Sequence, residues 1–246
     1  MITKNKIFKV IYAFSIVIIF WYITAFFVNK PIIPYPHGVI KSIFSSGNNL
    51  YIHLFYSIKR MLSGIIISSV IGIPLGIFTG YSRKADEIFS PVVYLTYPLP
   101  KIAFLPVIML FFGLGDFSKV FMIVLIIIFQ LIVSVRDSVK NIDSGDYDVL
   151  RSLGGNKKDE IFHIIIPAII PNILTSLRIA SGTALSALFF TETFGTVYGI
   201  GYYVMDAWTR YNYTEMYAGI FVLSLLGLFI FFMFDISEKI LIKWKK

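Results

Sequence analysis

Six stretches of this chain, at residues 7–28, 57–80, 89–112, 119–135, 164–190 and 216–236, are apolar over the length needed to cross a lipid bilayer. About 20 mostly apolar residues in a helix cover the roughly 30 Å of hydrocarbon. Inside lipid every backbone N–H and C=O must be paired within the protein, which leaves helices and closed barrels as spanning structures. A barrel strand alternates apolar and polar side chains, and the run from Phe121 to Phe129 shows no alternation. The expectation is an all-α integral membrane protein with about six transmembrane helices. Composition agrees, with 57% hydrophobic and 15% charged residues, where soluble domains carry about 25% charged.

The net charge of +8 raises the question of nucleic acid. Its basic residues fall in short clusters between apolar stretches, with no continuous stripe, so no nucleic-acid partner is expected. The clusters instead carry orientation, because cytoplasmic loops of membrane proteins hold an excess of Lys and Arg. With the N-terminus inside, segments 1–9, 81–88, 136–163 and 237–246 hold fourteen basic residues, against Lys30, Lys41, Lys119 and Arg210 outside. Both termini are therefore expected in the cytoplasm. The first segment is too long for a signal-peptide core, and Asn29-Lys30-Pro31 is no cleavage site, so it reads as a retained span. Cysteine is absent, which excludes disulfides and thiolate metal sites. His37, His53 and His163 lack ligand spacing, so no metal is expected.

The chain divides into an N-terminal helix with its outer loop, 1–56, and a core, 57–246. Its longest polar inner loop, 136–163, is the place to look for function. A short helix is expected to begin around Gly145-Asp146, with acidic groups near its N-terminus favoured by the helix dipole. Gly154-Gly155 is expected to end it. Such a helix offers Val149, Leu150 and Leu153 to a partner.

The sequence Asp148-Val149-Leu150-Arg151-Ser152-Leu153-Gly154-Gly155, followed by Ile164-Ile165-Ile166-Pro167, resembles the EAA loop of ABC-importer permeases. That pattern is Glu-Ala-Ala, three residues, Gly, nine residues, then Ile-x-Leu-Pro. Asp148, Gly154, Ile164 and Pro167 fall on its Glu, Gly, Ile and Pro. Val149 and Leu150 replace the alanines, and Ile166 the Leu. Further segments look like the nitrate/sulfonate/taurine branch of these permeases. They are 72–76, 97–106, 112–115, Thr191-Glu192-Thr193-Phe194-Gly195 and Gly199-Ile200-Gly201.

The resemblance implies a type I importer fold whose 145–160 loop is a coupling helix docked on an ATPase subunit. It implies two ATPase copies using ATP and Mg, a second copy of this chain, and an extracytoplasmic solute-binding protein. No G-x-x-x-x-G-K-[ST] loop occurs here, so this chain itself has no means of hydrolysing ATP and is expected to bind no cofactor and carry no catalytic residue.

Lys101 and Arg178 lie in apolar segments, and Glu192 lies near the outer end of the fifth. A lysine at the bilayer centre costs about 2.5–3.5 kcal/mol on insertion scales, so such groups should face protein or water. Either they line a pathway for small anions, or they pair with acidic groups and carbonyls and hold helices together. Small residues along the second span, including Ser68, Gly72 and Gly76, are expected to permit close helix approach. Residues 195–213 are expected to form an outer loop and short helix facing the binding protein. One rival reading is a scaffold or channel subunit acting alone, and the other is a membrane-embedded enzyme. It needs a nucleophile or an acid–base pair at depth, and the serines and threonines of the spans have no His or Asp beside them.

Overall fold

The computed structural model describes the backbone of residues 4–242 and the side chains of 12–47 and 49–242. Lys243, Lys245 and Lys246 lie outside the described residues, as do the side chains of Lys4, Lys6 and Lys9. Every regular element described is helical. α1 is Lys4–Val28 and α2 is Pro36–Ser45, which starts on a proline where a missing N–H is harmless. α3, Gly47–Tyr81, begins ten residues ahead of the expected second span and absorbs the end of the outer loop. α4 (Arg83–Thr96) and α5 (Leu105–Phe112) are joined through a 3-10 turn at Lys101–Phe104. α6 is Asp116–Lys140 and α7 is Ser144–Ser152. A one-turn α8 (Lys157–Asp159) runs through a π-helical segment, Glu160–Ile165, into α9 (Ile166–Glu192). α10 (Ile200–Thr209) and α11 (Tyr213–Leu241) follow.

Among the described residues, four helical runs are long and apolar enough to cross a membrane: Asn49–Tyr81, Asp116–Lys140, Lys157–Glu192 and Tyr213–Leu241. The expected third span is not one helix. α4 and the Lys101–Phe112 segment meet at 81°. Pro98 and Pro100 lack the N–H that would pair with the carbonyls of Tyr94 and Thr96, and their rings disfavour helix at Tyr97 and Leu99. The described apolar part of α1, Tyr12–Val28, is shorter than the other runs.

Two compact units emerge from the chain: residues 1–56 with 197–224, and 57–196 with 225–246. In the first unit, Trp21 Nε1 donates to Pro34 O at 3.1 Å, and its ring lies 5.7 Å from Tyr217. His53 Nδ1 accepts from Gly199 N at 3.0 Å, with Tyr202 and Tyr203 packed against the imidazole. Tyr198 stacks on Tyr56 at 4.9 Å. Of these tyrosines Tyr203 is buried, whereas Tyr198 remains 43% exposed.

The second unit is organised around α6, whose Met122, Ile123, Ile127, Leu131 and Val135 are all buried. On one side, the glycines of α3 bring the two backbones together. A Cβ at Gly76 would lie 2.6 Å from Val135 Cβ, and one at Gly64 2.3 Å from Ile123 Cγ2. The expected small-residue face of the second span is this contact. On the other side α9 packs through Ala180, Ala184 and Ala187, all buried. Ser134 and Ser176 hydrogen-bond between α6 and α9, and Asn172 Nδ2 donates to Ser138 Oγ at 2.9 Å.

Candidate functional site

α7 is built by its ends. The Asp143 carboxylate accepts from Gly145 N at 2.8 Å as the N-cap, and Asp146 adds negative charge to the first turn. At the other end Gly154 takes φ +85°. Gly154 N donates to Arg151 O and Gly155 N to Leu150 O, both at 3.0 Å, which is a Schellman closure. The two glycines are needed for different reasons. Gly154 supplies the left-handed backbone, whereas a Cβ on Gly155 would stand 2.6 Å from Leu150 Cγ. A capping box follows at once: Asn156 Oδ1 accepts from Asp159 N, and Asp159 Oδ2 accepts from Asn156 N at 2.8 Å.

α7 is anchored by Glu160, which is only 2% exposed. Arg151 Nε donates to Glu160 Oε1 at 2.7 Å, and Tyr81 OH donates to the other carboxylate oxygen. The helix is thereby tied to the π-helical segment and to the end of α3. Burial, then the charge of Glu160, holds the Tyr147 phenol above its ordinary pKa. Val149 and Leu153 remain 62% and 80% exposed. With Asp146, Leu150, His163, Ile164, Pro167 and Ala168 they line an open, largely apolar groove of about 450 Å³. Asp148 is exposed and faces Arg151 at 3.8 Å. The predicted residues of the 148–167 stretch therefore do come together, around α7 and the start of the long α8–α9 run.

The three charged residues expected on a pathway are not brought together. Arg178 Nη1 pairs with Asp235 and, at 3.7 Å, with Glu238 on α11. Glu192 is fully buried: Arg60 Nη1 donates to it at 2.8 Å and Ser57 Oγ reaches both its oxygens. Lys101 meets neutral partners. Its ammonium donates to Tyr97 O at 2.8 Å and to Thr96 O at 3.2 Å. The break explains this contact, since Thr96 O is one of the carbonyls that the prolines left without an in-helix donor. The Lys101 side chain lines a cavity of about 390 Å³ with Gln130, Thr183 and Ser186.

Sequence reasoning missed the partners. Arg60 also binds Asp116 Oδ1 through Nε and Nη2, at 2.9 and 2.6 Å. Lys119, expected at an outer loop, is fully buried and caps Leu114 O at 2.5 Å and Gly115 O at 3.3 Å. Glu160 and Tyr81, 79 residues apart, carry no local signal of their contact. The available signal was opposite charge: Arg60 and Glu192 each stand in an apolar stretch, and such groups pair inside a membrane.

Comparisons with known proteins agree with this architecture. Residues 72–246 match the family model described as binding-protein-dependent transport system inner membrane component. The formylaminopyrimidine transport permease protein of Halalkalibacterium halodurans is 28% identical over 95% of this chain and 94% of its own length. The taurine transport system permease protein of Escherichia coli is 28% identical over 85% of this chain and 79% of its own. Among solved structures, a chain of the methionine ABC transporter MetNI in an inward-facing conformation superposes with a TM-score of 0.68. It is 17% identical and covers 77% of this chain and 94% of that one. The helical fold, its multi-pass apolar helices and the family match over most of the sequence lead to one assignment: this chain belongs to the binding-protein-dependent transport system inner membrane components, the permeases of ABC transporters.

Proposed function

We propose that this chain is the translocation subunit of an ATP-driven importer for a small, anionic solute, and that it receives force through α7. One observation carries the coupling reading. A short helix with two large exposed apolar side chains, Val149 and Leu153, is fixed by Arg151 and Glu160 to the base of a long apolar helix. An exposed apolar pair on so rigid a mount suits a partner's groove. The rigid mount suits transmission, because a displaced α7 would carry Glu160, Ile164 and Pro167 with it. In this reading Asp148, Leu150, Gly154 and Gly155 keep the helix in shape for docking.

The partners that follow are two ATP-binding subunits, which use ATP and Mg, a second copy of this chain, and an extracytoplasmic solute-binding protein. Both termini and α7 lie in the cytoplasm. Relatives named for taurine and formylaminopyrimidine transport support a small polar solute. Lys101 lines the pathway. Arg178 and Glu192 act on it through the helices they join, Arg178 holding α9 to α11 and Glu192 holding α9 to α3. This chain contributes no catalysis.

The test is co-purification with the co-expressed ATP-binding subunit. Val149→Asp with Leu153→Asp should insert in the membrane at normal level and lose at least about tenfold of the bound ATPase, the equivalent of about 1.4 kcal/mol. Full retention of the ATPase by this double variant would remove the docking role of α7.

A further inference from the structure

We infer that Lys101, Gln130, Thr183 and Ser186 form a contact site for the anionic head of the transported solute, with Tyr97 and Phe190 receiving its apolar part. The inference deepens the importer reading and rests on it. Its ground is an imbalance in polar groups at one cavity of the 57–196 unit. Among the described residues the Gln130 amide and the Thr183 hydroxyl make no hydrogen bond, yet both side chains line the cavity on runs apolar enough to span a membrane. Polar groups left unsatisfied in hydrocarbon are costly, so such a position belongs to a water-filled or solute-filled space.

Charge points the same way. Arg60 and Arg178 each meet carboxylates, whereas Lys101 meets two backbone carbonyls. An ammonium has three donors, so one remains for a ligand. Among the described residues lining the cavity none is acidic. The positive charge is therefore directed at whatever enters. A sulfonate or carboxylate oxygen matches it, with the Gln130 amide and the hydroxyls of Thr183 and Ser186 as neutral donors. A volume of about 390 Å³ falls near the lower end of ligand-pocket sizes and fits a compact monoanion. Aromatic walls at Tyr97 and Phe190 suit a short apolar body.

The chain contains no cysteine, so a single introduced thiol reports on the site. Thr183→Cys in the full chain is labelled in membrane vesicles of both orientations with an anionic reagent, sulfonatoethyl methanethiosulfonate, and with its trimethylammonium counterpart. Rates are taken relative to a free thiol. The anionic reagent should be favoured by at least about tenfold, as expected for a unit charge a few ångströms away at intermediate dielectric. Lys101→Gln in the same background should abolish the preference and Lys101→Arg should keep it. Sodium methanesulfonate should slow labelling where sodium chloride of equal ionic strength does not. A thiol that neither reagent reaches from either side, or a preference unchanged by Lys101→Gln, overturns the site. Ser186→Cys is the second reporter should Thr183→Cys fail to reach the membrane. Labelling requires no ATPase, so loss of the site and loss of ATPase association are read separately.

Discussion

Glu192 is a carboxylate with no exposed side-chain surface, held by a guanidinium that is itself 4% exposed. Removing one partner of such a pair leaves the other buried and uncompensated, a loss of about 3–5 kcal/mol. Arg178 and Asp235 are about one-third exposed, and an exposed pair contributes about 1 kcal/mol or less. Arg60→Met should therefore lower the unfolding temperature of the purified chain in detergent far more than Arg178→Met. Equal shifts would show that the Arg60 cluster bears no more of the fold than the α9–α11 pair. The charges themselves were visible in the sequence as interruptions of apolar stretches. Their pairing was not, because Arg60 and Glu192 are 132 residues apart and nothing local relates them. Lys101 differs for a local reason, the two prolines beside it, and its contact with Thr96 and Tyr97 was within reach of sequence reasoning.

Among elements, α7 shows what local rules decide. Its first turn follows from Asp143 and Asp146 and its end from two glycines, all within a dozen residues, so its bounds were readable in advance. Gly154→Val forces a β-branched residue into the left-handed region, at about 1–2 kcal/mol. Amide exchange over 150–156 should then accelerate in deuterium-exchange mass spectrometry, and ATPase association should weaken while the spans stay protected. Unchanged exchange would mean that the turn tolerates a side chain at φ +85°. The third expected span shows the limit of such rules. Pro98 and Pro100 marked a weak point, but an 81° bend between α4 and the following segment depends on which neighbours receive the freed carbonyls. The π-helical stretch 160–165 was not among the expected elements; it carries Glu160, which Tyr81 and Arg151 hold.

At the scale of the whole molecule, hydropathy made the membrane class readable, since it is a sum over many residues. The grouping of 1–56 with 197–224 was not readable, because it depends on contacts such as His53 with Gly199 between segments remote in the chain. Sidedness is the condition on which coupling depends. ATP is hydrolysed in the cytoplasm, so the proposed coupling requires α7 to lie there, as expected from fourteen basic residues against four. With no native thiol to interfere, Asp148→Cys and Trp208→Cys can be compared in intact cells with an impermeant maleimide. Both positions are exposed in the structure, so lack of labelling reports the membrane rather than burial. Trp208→Cys should label directly and Asp148→Cys only after permeabilisation. If Asp148→Cys labels in intact cells, α7 faces away from the nucleotide, and no ATPase can act through Arg151 and Glu160 on the helices above them.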